Sequence, residues 1–249
     1  MLFKVKKLFL ILRNPYFLRA LWSWRVAASV EHRYALTCAK FQTIVDIGAN
    51  RGQFTLAARY FSPNASIYSF EPLSEPASIF RKVFQNSPKV TLFQTAIGES
   101  TSKSFIHISK CDDSSSLLPI SSKQEEIFPG TGEVSIEEVS VAPLSAFVPI
   151  TQLIAPAMLK IDVQGFESQV LSGADPLLDY FDYIYCECSF IELYTGQVLA
   201  ENIVSMLKNR GFGLKGVFNL AYAVGGNPIQ GDFLFSRKIS SSTTIHRDT

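Results

Sequence analysis

The sequence has no apolar run long enough to cross a bilayer, no dinucleotide-type glycine repeat, few histidines and cysteines, and almost no net charge. A membrane-spanning helix needs about 20 apolar residues. The stretch from Leu8 to Leu12 is too short even for the core of a secretory signal, so a cytoplasmic protein is expected. A formal charge of +1 over 249 residues is not that of a polyanion binder, and no nucleic-acid partner is expected. Cys38 and Cys111 stand alone, whereas Cys186 and Cys188 share one side of an apolar run. That spacing indicates neither a zinc site nor a disulfide framework, and buried reduced thiols are expected. His32 and His246 sit in stretches that suggest no role.

What is present is a globular composition, 47% hydrophobic and 18% charged, at a length that suits one large domain. The charge is uneven. Residues 1–33 carry seven lysines and arginines against Glu31 alone, mixed with Phe9, Tyr16, Phe17, Trp22 and Trp24. Two readings stay open for a helical extension over 1–40: an amphipathic basic helix lying on an anionic membrane, or short helices restarted at Asn14-Pro15 and packed on the domain. Over 41–238, short β-branched runs alternate with helical patterns, which predicts a mostly parallel sheet with helices on its faces. Strands are expected at 44–47, 66–70, 90–94, 158–163 and 183–188, with an antiparallel pair at 212–218 and 231–235. Helices are expected after Gly52, over 75–85, through Val170 and Leu171, and over 199–209. Between about 100 and 156 the alternation breaks into a β-rich insertion with strands at 105–108 and 134–141, joined by a polar loop of turn formers. The tail 239–249 has little to pack.

Two motifs carry chemistry. Val45-Asp46-Ile47-Gly48-Ala49-Asn50-Arg51-Gly52 stands where a strand turns into a helix, and glycines there let a ligand lie against bare backbone. The four-residue spacing of Gly48 and Gly52 is not the G-x-G-x-x-G of nicotinamide binders. Asp46 beside the bend suits a ligand with an ammonium group. Phe70-Glu71-Pro72 follows 25 residues after Asp46, at the tip of the second strand, where a carboxylate can accept both hydroxyls of a ribose.

These motifs, with Ala96-Ile97-Gly98, Asp113-Ser114-Ser115-Ser116-Leu117 and Leu159-Lys160-Ile161-Asp162-Val163-Gln164-Gly165-Phe166-Glu167, resemble the FkbM-type methyltransferases over about residues 44–235. Gln164 is a departure, since the family more often has Glu there. The resemblance implies an α/β, Rossmann-like, seven-stranded sheet with an antiparallel last strand and S-adenosylmethionine as cofactor. It further implies that Gly48, Asn50 and Gly52 line the methionine part with Asp46 near its ammonium, that Glu71, with Pro72 beside it, holds the ribose, and that Ala96 and Ile97 flank the adenine.

Methyl transfer from a sulfonium to oxygen is an in-line displacement, in which positioning can supply about 7–11 kcal/mol. A sugar hydroxyl also gains roughly 10²–10⁴-fold from a general base. Asp162, Glu187 and His107 are the candidates, with Asp162 favoured for its place at a strand end. Glu167 is expected to be structural, tying the backbone that follows it one turn into its helix. A divalent metal among Asp112, Asp113, Asp162 and Glu187 is conceivable, but the spacing does not demand one. The leading expectation is O-methylation of a glycan, glycolipid precursor or secondary metabolite. Methylation of nitrogen or another atom, and a non-catalytic cofactor-binding scaffold, are the alternatives.

Overall fold

The computed structural model describes residues 10–238; the tail 239–249 and Lys4, Lys6 and Lys7 lie outside them. Strand β1 (Thr43–Ile47) is buried at all five positions, as is β7 (Ala157–Ile161) beside it. Such unbroken apolar runs mark parallel strands covered on both faces. β1 pairs in parallel with β2 (Ser66–Phe70) and with β7. The sheet continues through β3 (Val90–Phe93) on one side and, on the other, β8 (Tyr183–Ser189), β10 (Pro228–Arg237) and β9 (Phe212–Tyr222), in the order β3-β2-β1-β7-β8-β10-β9. β10 is antiparallel to both neighbours, as the resemblance implies.

Alternate residues of the central strands divide the core. Val45, Ile47, Leu159 and Ile161 face α6 (Glu167–Ala174) and α7 (Ala200–Asn209), whose Val170, Leu171, Ile203 and Leu207 cover them. Ile44 and Met158 face the opposite layer, α2 (Arg33–Thr37) and α3 (Gln53–Phe61), through Leu36, Phe54 and Ala58. α4 (Ser74–Phe84) joins β2 to β3. Cys186 and Cys188 are buried; Cys38 and Cys111 are exposed, contrary to expectation.

A second sheet, β4-β6-β5, is built from Ala96–Ile97, Glu133–Ala142 and Ser102–Ser109. The polar loop within it contains more structure than turn formers suggest. Helix α5 (Ser122–Ile127) forms there because the Ser121 side chain accepts from Gln124 N, while Thr131 Oγ1 donates to Phe128 O at 2.7 Å. The strand expected over 158–163 ends at Ile161 instead, because the left-handed backbone of Gln164 and Gly165 (φ +54° and +97°) turns the chain away.

At the N-terminus the packed reading describes residues 10–33. Asn14 caps α1 (Pro15–Trp24) by accepting from Tyr16 N at 2.9 Å, with Pro15 in the first turn. Phe17 and Ala20 turn inward to join Leu56, Phe80 and Phe84, and the Phe17 and Tyr60 rings meet at 5.0 Å. The extension therefore shares the domain's core. Among the described residues no helix is long and apolar enough to cross a membrane. Phe17→Ala should lower the free energy of unfolding by about 3–5 kcal/mol in urea titration; a change under about 1 kcal/mol would detach the extension from the core.

Candidate active site

Where β1, β2 and β7 end, the chain opens a crevice of about 470 Å³ that runs across the carboxyl edge of the sheet to β8, β9 and β10. Ligands of open α/β sheets bind at this edge. Its floor is the Gly48 bend. Gly48 has φ +76°, and a Cβ there would collide with the backbone carbonyl of Asp162, so only glycine lets β1 and β7 approach so closely. Gly48 N and Ala49 N both donate to Phe70 O, which stitches the bend to β2. Asn50, at φ +45°, continues the wall. Gly52, at φ +92°, instead fits against Phe80 and Phe84 of α4, and it supports the loop from behind without lining the crevice.

Glu71 stands on the β2 side, 6% exposed. Its Oε2 accepts from Asn50 N at 2.8 Å and its Oε1 from Leu73 N at 2.9 Å. Burial outweighs those bonds and the Lys160 charge and raises its pKa to about 7. Each oxygen keeps a lone pair for a further donor. Pro72, Ala96 and Ile97 line the same end.

Beneath the bend lies a residue that the sequence analysis quoted but gave no role. The ammonium of Lys160 is 5% exposed and sits 3.0 Å from Asp46 Oδ1 and 2.8 Å from Gly48 O. Burial pulls its pKa down, yet Asp46 and Asp162 together hold it above the ordinary value. Asp46 also accepts from Thr55 Oγ1 at 2.6 Å. Its carboxylate is fully buried and committed to Lys160 and Thr55, below the floor of the crevice and not on its wall. The resemblance implies Asp46 near the ligand's ammonium; the carboxylate lies under the bend, off the crevice wall. A charged residue within the apolar run Met158-Leu159-Lys160-Ile161 was the available signal.

Of the three candidate bases, the fold brings two together. Asp162 and Glu187 face the crevice from β7 and β8, bridged by Gln164 Nε2 at 2.9 and 2.8 Å. Gln164 Oε1 in turn accepts from Tyr194 Oη at 2.9 Å. The departure from Glu at 164 thus provides the donor that keeps the two acids apart. Glu187 also accepts from Gln230 Nε2 at 2.9 Å. Burial, then the Asp162 and Asp232 charges, push its pKa well up, while both of its oxygens accept amide donors from Gln164 and Gln230. His107 is elsewhere: it lies on β5, with Nδ1 2.7 Å from Glu133 on the facing strand, and is not part of the crevice wall. Its alternating strand aims it at a hairpin neighbour.

Glu167 is structural, although it ties the backbone before its helix: Oε1 accepts from Gly165 N at 2.9 Å and Val163 N at 3.3 Å. The loop after β5 closes over the crevice through Ser115 and Ser116 and is fastened by Arg51, 2.8 Å from Asp112. Asp113 is shifted up by burial, then by Asp112 and Asp162. Among the described residues no three His, Cys, Asp or Glu side chains are grouped to hold a metal ion. His32, Asn219 and Asp232 complete the β9–β10 side, and no sequence motif marks them, because only folding brings them to this edge.

Sheet order, glycine bend and an acid at the second strand tip define a Rossmann-like domain with a crevice at its carboxyl edge. The methyltransferase FkbM domain matches residues 46–214, and the chain belongs to that family of methyltransferases. It is 27% identical over 173 residues to the 2-O-methyltransferase NoeI of Sinorhizobium fredii, covering 66% of this chain and 70% of that one. Among solved structures it is similar to precorrin-6y C5,15-methyltransferase from Geobacter metallireducens, with a TM-score of 0.46 and 11% identity over 82% of this chain and 85% of that chain. An rRNA methylase from Streptococcus thermophilus gives 0.45 and 10%, over 84% and 96%.

Gly48→Ala should cost at least about 1–3 kcal/mol from the left-handed backbone alone, read in urea titration; wild-type stability would contradict the close approach to Asp162.

Proposed function

We propose that the chain is an S-adenosylmethionine-dependent O-methyltransferase acting on a hydroxyl of a glycan, glycolipid precursor or secondary metabolite. The observation that carries this reading is Glu71, a buried acid braced by two backbone N–H groups beside the bare Gly48 bend. In it, Glu71 holds the ribose hydroxyls, Gly48 and Asn50 line the methionine part, and Pro72, Ala96 and Ile97 enclose the adenine. The cradle fits such a group, since each Glu71 oxygen, held by one backbone N–H, retains a lone pair at the crevice. Bound there, the cofactor supplies an electrophilic methyl group on a sulfonium.

The acceptor end of the crevice is polar, with Glu31, His32, Asp162, Gln164, Asn219 and Asp232 along it. That lining suits a molecule rich in hydroxyls, and the name of the 2-O-methyltransferase relative supports oxygen as the target. A net charge of +1 gives no general attraction for a polyanion. Asp162, fixed by Gln164, orients the acceptor by accepting a hydrogen bond from it. Glu187 sustains that arrangement by holding Gln164.

Both ribose hydroxyls can donate to Glu71, one to each oxygen, only in its ionised form. With a free-state pKa of about 7, affinity for S-adenosylhomocysteine should weaken about tenfold from pH 8 to pH 6 by calorimetry. Glu71→Gln should bind weakly and without that dependence. A flat wild-type profile would remove the ribose assignment. For Asp162→Asn, turnover should fall while S-adenosylhomocysteine affinity stays within about twofold of wild type, and full turnover would remove its acceptor role.

A further inference from the structure

His32 comes from the N-terminal extension, at the end of a short 3₁₀ turn (Val30–His32), and its imidazole lines the acceptor end of the crevice. Nδ1 lies 2.9 Å from Tyr185 Oη and 3.3 Å from Asp232 Oδ2. Tyr185 Oη and Asn219 Nδ2 donate to that same carboxylate oxygen at 3.1 and 2.7 Å. Burial raises the Asp232 pKa, but the bonds from His32, Asn219 and Tyr185 more than offset it, and the group stays below the ordinary carboxylate range. A charged carboxylate facing Nδ1, with Asn219 Nδ2 a weaker neighbour at 3.4 Å, favours the tautomer with the ring proton there, which leaves Nε2 as a bare lone pair. Nε2 has no hydrogen-bond partner among the described residues. The ring's orientation is set by edge contacts with Phe54 and Tyr185, at 5.4 and 5.5 Å between centroids.

We propose that His32, oriented by Asp232, is the general base that deprotonates the acceptor hydroxyl. The inference rests on the O-methyltransferase reading above and adds to it a residue supplied from outside the family-matched segment 46–214. Asp232 also lies outside that segment. The acceptor's O–H proton passes to His32 Nε2 as its oxygen bonds to the methyl carbon, and the carbon–sulfur pair leaves on sulfur. The products are a methyl ether, imidazolium and S-adenosylhomocysteine; the imidazolium then releases its proton to water.

The neighbours favour this assignment. Both Glu187 oxygens are occupied by the amide donors of Gln164 and Gln230, and Asp162 is engaged by Gln164 and lies 3.8 Å from Lys160. An imidazole's ordinary pKa of about 6.5 is better matched to neutral-pH proton transfer than a carboxylate's of about 4. The charged and titratable groups around the ring are Asp232 on β10, Tyr185 on β8, Asp162 and Lys160 at the end of β7, and Glu31 next to it in sequence. Three acids against one ammonium, itself paired with Asp46, stabilise the imidazolium as it forms.

The test combines a ring measurement on the free protein with turnover. With three histidines in the chain, ¹⁵N-imidazole NMR can be assigned using His107→Gln and His246→Gln. Neutral His32 should show the Nδ1–H tautomer, and Asp232→Asn should abolish that preference; a wild-type Nε2–H tautomer would overturn the proposal. His32→Asn keeps an amide donor near the place of Nδ1 and deletes Nε2. It should retain wild-type S-adenosylhomocysteine affinity by calorimetry, lose about 10²–10⁴-fold in kcat toward a panel of mono- and oligosaccharides, and flatten the rising limb of kcat against pH. Asp232→Asn should shift that limb while retaining cofactor affinity. Wild-type kcat and pH profile in His32→Asn would overturn the base assignment and leave the cofactor site standing. Wild-type protein that binds S-adenosylhomocysteine but methylates no hydroxyl in the panel would also overturn it. Failure of wild-type protein to bind S-adenosylhomocysteine would overturn the underlying reading itself. Should His32→Asn not fold, the tautomer and the Asp232→Asn profile decide.

Discussion

Beneath the floor of the crevice, the buried pair between Lys160 and Asp46 is the contact on which the rest of the site depends. The ammonium spans β7 and β1, and it also holds the carbonyl oxygens of Ile47 and Gly48. Thr55 links the same carboxylate to α3 and to Ser69 on β2. Four elements are thereby fixed at the point where the chain must bend. Removing one partner of such a pair leaves an uncompensated buried charge, at a cost of about 3–5 kcal/mol. The pair thus enforces one arrangement of strand ends, to which the bend above it conforms.

From that anchor the two ends of the crevice acquire different chemistry. Over β1 and β2, backbone N–H groups converge on Phe70 and Glu71, and the wall is completed by small or apolar residues of β4. Over β7, β8 and β10 the wall is a network of amides and carboxyls in which Gln164 keeps Asp162 and Glu187 compatible. Two carboxylates so close would otherwise compete for a proton.

The extension completes the second end. Its helix packs on α4 through Phe17 and Ala20, and the chain then runs past Gln53, bonded by Ser29 N to Gln53 O, to bring His32 to the crevice. A segment that reads as an appendage by charge is therefore part of the wall. The loop after β5 covers another side, fastened by Arg51 to Asp112, so two peripheral segments frame a site whose centre belongs to the family.

The strand and helix order, the glycine bend and the acid at the β2 tip were all legible in the residues, because each is a local event: apolar runs make buried strands, and a strand-to-helix glycine turn needs only its own few residues. Family membership was legible for the same reason, through short ordered motifs. Helix α5 was not, because its six residues carry no apolar periodicity and form through a serine cap and the Thr131 bonds. Nor was the fate of Asp46 or the approach of His32 to Asp232. Those depend on which side chains meet across strands and layers distant in sequence, 200 residues apart for His32 and Asp232. Only the tertiary structure brings such pairs within hydrogen-bonding distance and so decides which carboxylate is spent on a buried lysine and which faces the crevice.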